Sequence, residues 1–359
     1  MPGTVWLRRE ADGVVTISPA GSPELSDGSL DTLVVEVAGG HLSWRLLAGQ
    51  QVPFAVLYDP VAAQDWLWAV YGAGVALAVD DGSSGEVTTD PALPELVENA
   101  RRLGYAHWAA RWWPASTIDG IPALDQRLLD QDIAALTDEC DLIVDEIEGV
   151  PAQGVSPSHD ELAVPPVTSR RAEDYALAAG PASADSPAGL VLTTGTAGWD
   201  WRYCPPGILD ASEYAVSWQL TRDSGSTVLT VHAVAAPHIP ATVPAHLHPR
   251  AHVTTTTTTA DLPLRLSGDT WSATATLDAE DVASVVLYVP GVGRLPVGDV
   301  EPSDASSPAS GRPAVEGAAE RQRVRDFVIG RMRGVAEGAD TFGWALRAEV
   351  AAAASDEDF

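Results

Sequence analysis

The stretch LVVEVAGGHLSWRLL at residues 33–47 decides how the first part of the chain folds. Two runs rich in β-branched and aromatic residues flank Gly39 and Gly40. A glycine pair suits the two-residue primed turn of a β-hairpin, because glycine tolerates the positive φ angles that such a turn requires. The chain is therefore expected to begin with hairpin-connected strands.

The next apolar run predicts a strand, a helix and a second strand. Residues 54–58 are apolar and β-prone, and Asp59 and Pro60 then suit the N-cap and the first position of a helix. A glycine-rich break follows, and residues 75–79 form a further short apolar run that favours a strand. A strand-helix-strand order indicates one parallel strand pair.

Two longer helices are predicted at about 91–113 and 122–148, because their apolar residues recur every three or four positions. Residues 1–148 are therefore assigned to a mixed α+β domain. Residues 149–189 are rich in Pro, Ala, Ser and Gly and are typical of a linker, with a short helix at about 169–179.

From residue 190 to residue 299 the composition changes to short β-prone runs separated by turn residues. Seven or eight such strands within about 110 residues predict a β-sandwich, and their spacing suggests one of immunoglobulin type. Threonine is β-branched, so the six-threonine run at 254–259 fits a half-exposed edge strand. A second linker at 300–315 and a helical segment at 316–359 follow.

The charge of the chain excludes several classes of function. Its net charge of −29, from 21 basic and 50 acidic residues, repels phosphate backbones and anionic membranes, so neither is expected as a partner. All 21 basic residues are arginine. P-loop NTPases, protein kinases, pyridoxal phosphate enzymes and class I aldolases need a lysine amine, which arginine cannot replace. These four classes are excluded.

Cysteine usage and hydropathy predict a cytoplasmic protein. Cys140 and Cys204 lie far apart without CxxC spacing, which argues against a disulfide framework or a zinc knuckle. Glu10 and Asp12 interrupt the position where a signal peptide needs an apolar stretch, and no apolar run approaches the roughly 18 residues of a membrane span. Neither a GxSxG nucleophile motif nor a dinucleotide fingerprint occurs.

A histidine cluster is the candidate metal site. His246, His248 and His252 share a parity on an extended chain, and three imidazoles with an open position can hold a catalytic zinc ion. Prolines make this stretch a loop, however, and no Asp or Glu lies between Asp223 and Asp261 to support the ligands. No cofactor is therefore expected, and zinc or iron at these histidines is the alternative.

An aromatic helix is the first candidate interaction surface. Its aromatic residues recur at i, i+3 and i+7 and so follow one side of the helix. Trp, Tyr and Arg dominate interface hot spots, although the same rings can also pack into the N-terminal core. The candidate residues are Arg101, Tyr105, Trp108, Arg111, Trp112 and Trp113.

The helix predicted at about 316–336 is the one basic amphipathic segment of this acidic chain. It can dock in cis on the acidic helical region at 119–148, on a second copy of the chain, or on a separate acidic partner. A solvated face is the remaining interpretation. Its candidate residues are Arg321, Arg323, Arg325, Arg331 and Arg333.

Two segments carry a family resemblance. They are RAEDYALAAG at 171–180 and DWRYCPPG at 200–207, the latter followed by DASE at 210–213. The pair resembles accessory proteins encoded in conflict or defence gene clusters of high-GC bacteria, beside ATPase or von Willebrand-type genes. The resemblance implies an accessory role in a multi-protein system and no catalytic residue. In physical terms, Trp199 or Trp201 can close one end of the β-domain core.

These observations favour a non-enzymatic interaction or scaffold protein of multidomain α+β class. The first alternative is a metal-dependent enzyme or metal-binding protein that uses the three histidines. The second is a small-ligand module on the β-sandwich, which requires an exposed aromatic platform.

Overall fold

The computed structural model describes residues 3–21, 29–144, 190–240, 242–292, 312–338 and 345–356. The chain divides into two compact units. Unit 1 comprises residues 1–108 and 130–174, and unit 2 comprises residues 109–129 and 175–359. The linker predicted at 149–189, with its short helix, and most of the linker predicted at 300–315 lie outside the described residues.

Unit 1 contains a six-stranded antiparallel sheet within its described residues. The strands are β1 (Gly3–Arg9), β2 (Val15–Pro19), β3 (Thr32–Val37), β4 (Gly40–Arg45), β5 (Phe54–Leu57) and β6 (Gly85–Thr89). Their order in the sheet is β3-β4-β5-β2-β1-β6. Along β3, Leu33, Val35 and Val37 are buried whereas Val34 and Glu36 are exposed, which is the alternation of a sheet with one covered face.

The hairpin of β3 and β4 is confirmed, but its turn differs from the predicted one. Val37 pairs with Gly40, so the two loop residues are Ala38 and Gly39. Only the second of them, Gly39, has a positive φ, at 77°. A primed turn has a positive φ at its first loop residue, so the predicted primed turn is wrong.

Four helices belong to the stretch between β5 and residue 144. They are α1 (Pro60–Tyr71), α2 (Ala73–Asp80), α3 (Pro94–Trp112) and α4 (Gln126–Glu139). The start of α1 is as predicted, since the Asp59 carboxylate accepts hydrogen bonds from the backbone N–H groups of Val61 (3.0 Å) and Ala62 (3.2 Å).

The predicted strand at residues 75–79 is wrong, because this run lies within α2. Val75, Ala76 and Val79 are its buried residues, and their spacing of one and three suits one side of a helix. The preceding strand, β5, pairs antiparallel with β2 and β4. The predicted parallel pair is therefore wrong as well.

Unit 2 has two antiparallel sheets in its described part. The strands are β7 (Leu190–Ala197), β8 (Val216–Asp223), β9 (Ser226–Val234), β10 (Arg250–Thr254), β11 (Thr259–Pro263), β12 (Arg265–Ser267), β13 (Thr270–Leu277) and β14 (Ser284–Tyr288). One sheet has the order β12-β13-β9-β8-β7 and the other has the order β11-β10-β14. Leu220, Leu229, Val231, Trp271 and Ala251 are among the residues buried on these strands.

The α+β class is confirmed, whereas the immunoglobulin-like arrangement is not. In an immunoglobulin domain the second and third strands lie in different sheets, but here β8 and β9 are hydrogen-bonded neighbours. The predicted threonine edge strand is wrong, because most of this run forms the turn between β10 and β11. There the Thr255 hydroxyl accepts hydrogen bonds from the N–H groups of Thr257 (3.2 Å) and Thr258 (2.9 Å).

Two C-terminal helices complete the described part of unit 2. They are α5 (Arg312–Ala336), which begins inside the linker predicted at 300–315, and α6 (Arg347–Asp356). Among the helices that the structure describes, none combines the length and the apolar content needed to cross a bilayer.

Candidate functional site

Three segments far apart in sequence meet in unit 2 through charged side chains. Glu213 accepts two hydrogen bonds from Arg321, at 2.6 and 2.8 Å, and one from Arg325 at 3.1 Å. The Arg325 guanidinium also lies 3.5 Å from a carboxylate oxygen of Asp119 and donates to the backbone carbonyl of Ala211. Asp119, Glu213, Arg321 and Arg325 are called the arginine clamp below. It attaches α5 to the segments around residues 119 and 213.

Asp210 lies beside the clamp and holds the same segments together. Its side chain is fully buried and accepts hydrogen bonds from Ser116 Oγ (2.7 Å), from the Thr117 N–H (2.7 Å) and hydroxyl (3.0 Å), and from the Ser212 N–H (2.9 Å). The Asp210 backbone carbonyl accepts the indole N–H of Trp199 at 2.6 Å. A buried carboxylate with four donors is satisfied, so Asp210 is part of the support and is not a free acid.

The two carboxylates have pKa values shifted in opposite directions. Burial raises the pKa of Asp210 above its ordinary 3.8, and its hydrogen bonds to Ser116, Ser212 and Thr117 only partly offset this. Burial also acts to raise the pKa of Glu213, but the hydrogen bonds and positive charges of Arg321 and Arg325 outweigh it. The pKa of Glu213 therefore lies below its ordinary 4.5.

A second buried ion pair joins α5 to α6. Arg331 binds Glu349 through two hydrogen bonds, one of them 2.7 Å long, and the exposed fractions of the two side chains are 2% and 0%. The Leu346 N–H also donates to Glu349, at 2.8 Å. The side of α5 that carries Arg321, Arg325 and Arg331 is thus occupied within unit 2.

The five arginines predicted as one basic patch therefore fall into a buried group and an exposed group. Arg321, Arg325 and Arg331 are buried and paired with carboxylates, whereas Arg323 and Arg333 are exposed. The solvated-face interpretation is wrong for the three buried arginines. Arg325 takes the cis alternative, but the acid it contacts, Asp119, lies in the loop before α4.

A cleft lined by tryptophans is the second feature of unit 2. Its walls include Trp112, Trp113, Trp199, Trp201 and Pro206. The cleft has a volume of about 30 Å³, enough for a water molecule, whereas ligand pockets typically measure about 300–1,000 Å³. Trp112 and Trp113 are half-buried, so their rings form part of a shallow surface.

Among the described residues, Arg111 is the one charged side chain that lines this cleft. Its guanidinium lies 4.2 Å from the centre of the Trp112 ring and donates a hydrogen bond to the Cys204 carbonyl at 3.3 Å. Burial lowers the pKa of Arg111 below its ordinary value, against the opposing effect of Cys204. Within the described residues it forms no ion pair with a carboxylate, unlike Arg321, Arg325 and Arg331.

Comparisons with known proteins identify no relative. No protein-family model matches the chain. No curated protein and no solved structure gives a significant match either. The resemblance to accessory proteins of defence gene clusters stays a prediction.

The other members of the aromatic patch lie in unit 1. Trp108 is 3% exposed and donates its indole N–H to the Leu30 carbonyl at 2.6 Å, and the fully buried Tyr105 stacks on it at 5.6 Å. Arg101 pairs with Glu98 at 2.8 Å. Tyr105 and Trp108 are therefore core residues, and of the aromatic patch only Arg111, Trp112 and Trp113 line the cleft.

The three candidate metal ligands have separate surroundings. A ring nitrogen of His248 lies 3.0 Å from the Val243 carbonyl, and a ring nitrogen of His252 lies 3.0 Å from an Asp261 oxygen. His246 lies on a short 3₁₀ turn. In the part of the chain that the structure describes, no three His, Cys, Asp or Glu side chains are grouped as a metal site requires. Metal binding at these histidines stays a prediction.

The two cysteines are buried and free in the described structure. Burial raises the pKa of the Cys140 and Cys204 thiols to about 12, with smaller effects from neighbouring charges. Both thiols are therefore protonated at neutral pH and are poor nucleophiles. Cys204 lines the cleft as a small apolar group.

Sequence reasoning missed the supporting carboxylates. Asp210 and Glu213 belong to the DASE segment quoted for the family resemblance, but nothing local in the sequence connects them to Ser116 or to arginines more than 100 residues away. One available signal was the run of arginines on a predicted amphipathic helix, since an arginine at a core-facing position needs a buried acid.

Proposed function

We propose that this chain is a non-enzymatic interaction or scaffold component of a multi-protein bacterial system, that it acts in the cytoplasm, and that it binds its partner through the tryptophan cleft of unit 2. The observation that carries the proposal is the set of Arg111, Trp112 and Trp113 at one shallow surface. Arginine and tryptophan are the residue types most enriched among interface hot spots, and half-buried indoles can bury further apolar area against a partner.

The buried ion pairs of unit 2 indicate that the residues around the cleft stabilise the fold and do not bind the partner themselves. The arginine clamp and the Arg331–Glu349 pair fix α5 and α6 within unit 2, so their polar groups are committed to the fold. Such a framework can hold the cleft residues in a set position, which lowers the entropy cost of binding. The β-sandwich predicted at 190–299 belongs to this proposal as the rigid support, without the strand order of an immunoglobulin domain.

The environments of Cys204 and Asp210 make an enzymatic role the weaker interpretation. The Cys204 thiol beside the cleft is protonated at neutral pH, because burial raises its pKa to about 12. Asp210, a buried acid next in sequence to the cleft residues Leu209 and Ala211, accepts hydrogen bonds from Ser116, Thr117 and Ser212. Neither group is available as nucleophile or general base.

A comparative pull-down tests the proposal. The full chain, Trp112→Ala and Trp68→Ala are each used to capture proteins from native cytosol, and the proteins are identified by mass spectrometry. Trp68 is the matched control, because it is a 41% exposed tryptophan of unit 1. Because the chain has no lysine, amine coupling attaches it only through its N-terminal amine. We expect one stoichiometric protein to be lost with Trp112→Ala and retained with Trp68→Ala.

That protein is then purified and its binding is repeated with both variants. Circular dichroism confirms that Trp112→Ala is folded, and Arg111→Gln serves as a second, smaller change at the same surface. Equal capture by all variants would place the contact elsewhere. The absence of any stoichiometric partner of the full chain would contradict the scaffold function itself.

A further inference from the structure

Arg111 has no carboxylate partner within the described residues, and this indicates the kind of ligand that the cleft binds. The inference rests on the proposed function. The chain has 50 acidic residues, and the buried arginines 321, 325 and 331 each contact a carboxylate. Arg111, half-buried against Trp112, contacts only a ring face and a backbone carbonyl within the described residues. A guanidinium has five N–H donors, and removing it partly from water without a carboxylate is costly. This arrangement is complementary to a single carboxylate of a ligand, even though the net charge of −29 repels polyanions such as nucleic acids.

The described lining of the cleft offers a ligand no acidic, amide or hydroxyl side chain as a hydrogen-bond acceptor. The indole N–H groups of Trp113 and Trp199 already donate to the Pro122 and Asp210 carbonyls, so the Arg111 guanidinium is the charged donor that the described lining offers. A ligand rich in N–H groups would leave its donors unsatisfied on such a surface, whereas a ligand that offers carbonyl and carboxylate oxygens would not.

Proline-containing peptide fits this lining better than a sugar does. A sugar presents many hydroxyl groups, and each needs a hydrogen-bond partner that this apolar lining does not provide. Proline has no backbone N–H, its ring packs on indole faces, and proline-rich segments are preformed in the extended conformation that aromatic grooves bind. Because the cleft has room for about one water molecule, such a segment would lie across its surface and not inside it.

We propose that the cleft binds an acidic, proline-containing segment of a partner protein, with a ligand carboxylate on Arg111 and proline rings against Trp112 and Trp113. The carboxylate and the guanidinium form a charge-assisted hydrogen-bonded pair. The two indoles contribute apolar area and tolerate variation in the sequence around the prolines.

A double-mutant cycle with synthetic peptides tests this assignment. End-capped peptides that repeat Pro-Pro-Glu, Pro-Pro-Gln or Ala-Ala-Glu are titrated calorimetrically into the full chain at one fixed salt concentration, because the net charge of −29 makes affinity depend on ionic strength. We expect the Pro-Pro-Glu peptide to bind the unmodified chain about tenfold more tightly than either of the other two peptides.

The variants separate the two parts of the proposal. Arg111→Gln should bind the Glu and Gln peptides equally, whereas Trp112→Ala should weaken all proline peptides, and Trp68→Ala should change nothing. A Glu-to-Gln preference that persists in Arg111→Gln would overturn the carboxylate assignment. Equal binding of the Pro-Pro-Glu and Ala-Ala-Glu peptides would overturn the proline assignment.

Other occupants of the cleft give distinct results. A dimer in sedimentation that Trp112→Ala dissociates would identify a second copy as the occupant. Pro165 and Pro166 belong to the linker predicted at 149–189. Peptide binding that appears only after both are changed to alanine would identify this segment of the chain as the occupant. Either outcome overturns the proposal. If the partner from the pull-down needs Trp112 but no proline peptide binds, the ligand class is wrong while the proposed function stands.

Discussion

The arginine clamp and the tryptophan cleft both contain arginine, but in the clamp the guanidinium groups are paired with a carboxylate and in the cleft the guanidinium is not. In the clamp, Arg321 and Arg325 share the carboxylate of Glu213 and are almost fully buried. In the cleft, Arg111 is half-buried with no carboxylate partner in the described structure. A buried charge that is paired holds a fold together, whereas a half-buried charge left unpaired is more useful for binding than for stability. The loss of stability on substitution should therefore decrease from the buried ion pairs to the cleft.

The largest loss of stability is expected when the most deeply buried pair is broken. Arg331→Ala leaves Glu349, which is 0% exposed, without its guanidinium. An uncompensated buried carboxylate destabilises a fold by about 3–5 kcal/mol. Urea unfolding followed by circular dichroism measures this loss.

Arg333→Ala is the matched control on the same helix. Arg333 is exposed, so its removal should change the free energy of unfolding by less than about 0.5 kcal/mol. Similar losses for the two variants would show that Arg331 is not held by a buried ion pair.

The next largest effect is expected at the centre of the clamp. Glu213→Gln removes the negative charge that Arg321 and Arg325 share, while Asp119 still lies near Arg325. Because Glu213 is 24% exposed, we expect a loss of about 2–3 kcal/mol, less than for Arg331→Ala. Glu280→Gln, which breaks a surface pair with Arg222, should cost less than about 0.5 kcal/mol.

The pH dependence of unfolding distinguishes the two neighbouring carboxylates. The folded pKa of Glu213 lies below its unfolded value, so its stabilisation is full above about pH 4.5 and is lost as the pH falls through the folded pKa. The folded pKa of Asp210 lies above 3.8, so its protonation on acidification favours the folded state. Both effects act below neutral pH.

Acid titration of the variants checks these signs. Urea midpoints measured from about pH 6 to about pH 3.5 should fall less steeply in Glu213→Gln than in the unmodified chain, and more steeply in Asp210→Asn. Parallel slopes in all three proteins would contradict the opposite pKa shifts.

A smaller loss of stability is expected at the cleft than at either buried ion pair. Arg111→Gln removes a guanidinium whose described contacts are one carbonyl and one ring face. We expect the free energy of unfolding to change by less than about 1 kcal/mol. A loss as large as that of Glu213→Gln would show that Arg111 is a structural residue like those of the clamp.

The sequence predicts local elements of this molecule better than its long-range pairing. The hairpin at 33–47 and the cap of α1 at Asp59 are confirmed because strand pairing across a short turn and helix capping act over a few residues, although the predicted primed turn is wrong. The run at 75–79 was mistaken for a strand, since short apolar runs fit a helix as well.

The candidate site shows the same limit. Of the predicted aromatic patch, Arg111, Trp112 and Trp113 line one cleft, but the neighbouring Trp108 is a core residue on the same helix. Whether a tryptophan of this helix is buried in the core or lines the cleft depends on which distant segments of the chain pack against it. The predicted arginine patch failed as a unit because Glu213 supplies a buried counter-charge that no local pattern reveals.

Arg325 is assigned to the stability of the fold and Arg111 to binding. The most direct test of this difference is the increase in unfolding stability that a bound peptide produces in each variant. Unfolding midpoints of the unmodified chain, Arg325→Gln and Arg111→Gln are measured with and without the Pro-Pro-Glu peptide, because a ligand that binds the folded state raises its stability. We expect Arg325→Gln to be less stable without peptide yet to gain as much stability from the peptide as the unmodified chain does. Arg111→Gln should start near the stability of the unmodified chain and gain almost nothing. An equal gain in Arg111→Gln, or the loss of the gain in a folded Arg325→Gln, would contradict the assignment of Arg111 to binding and of Arg325 to the fold.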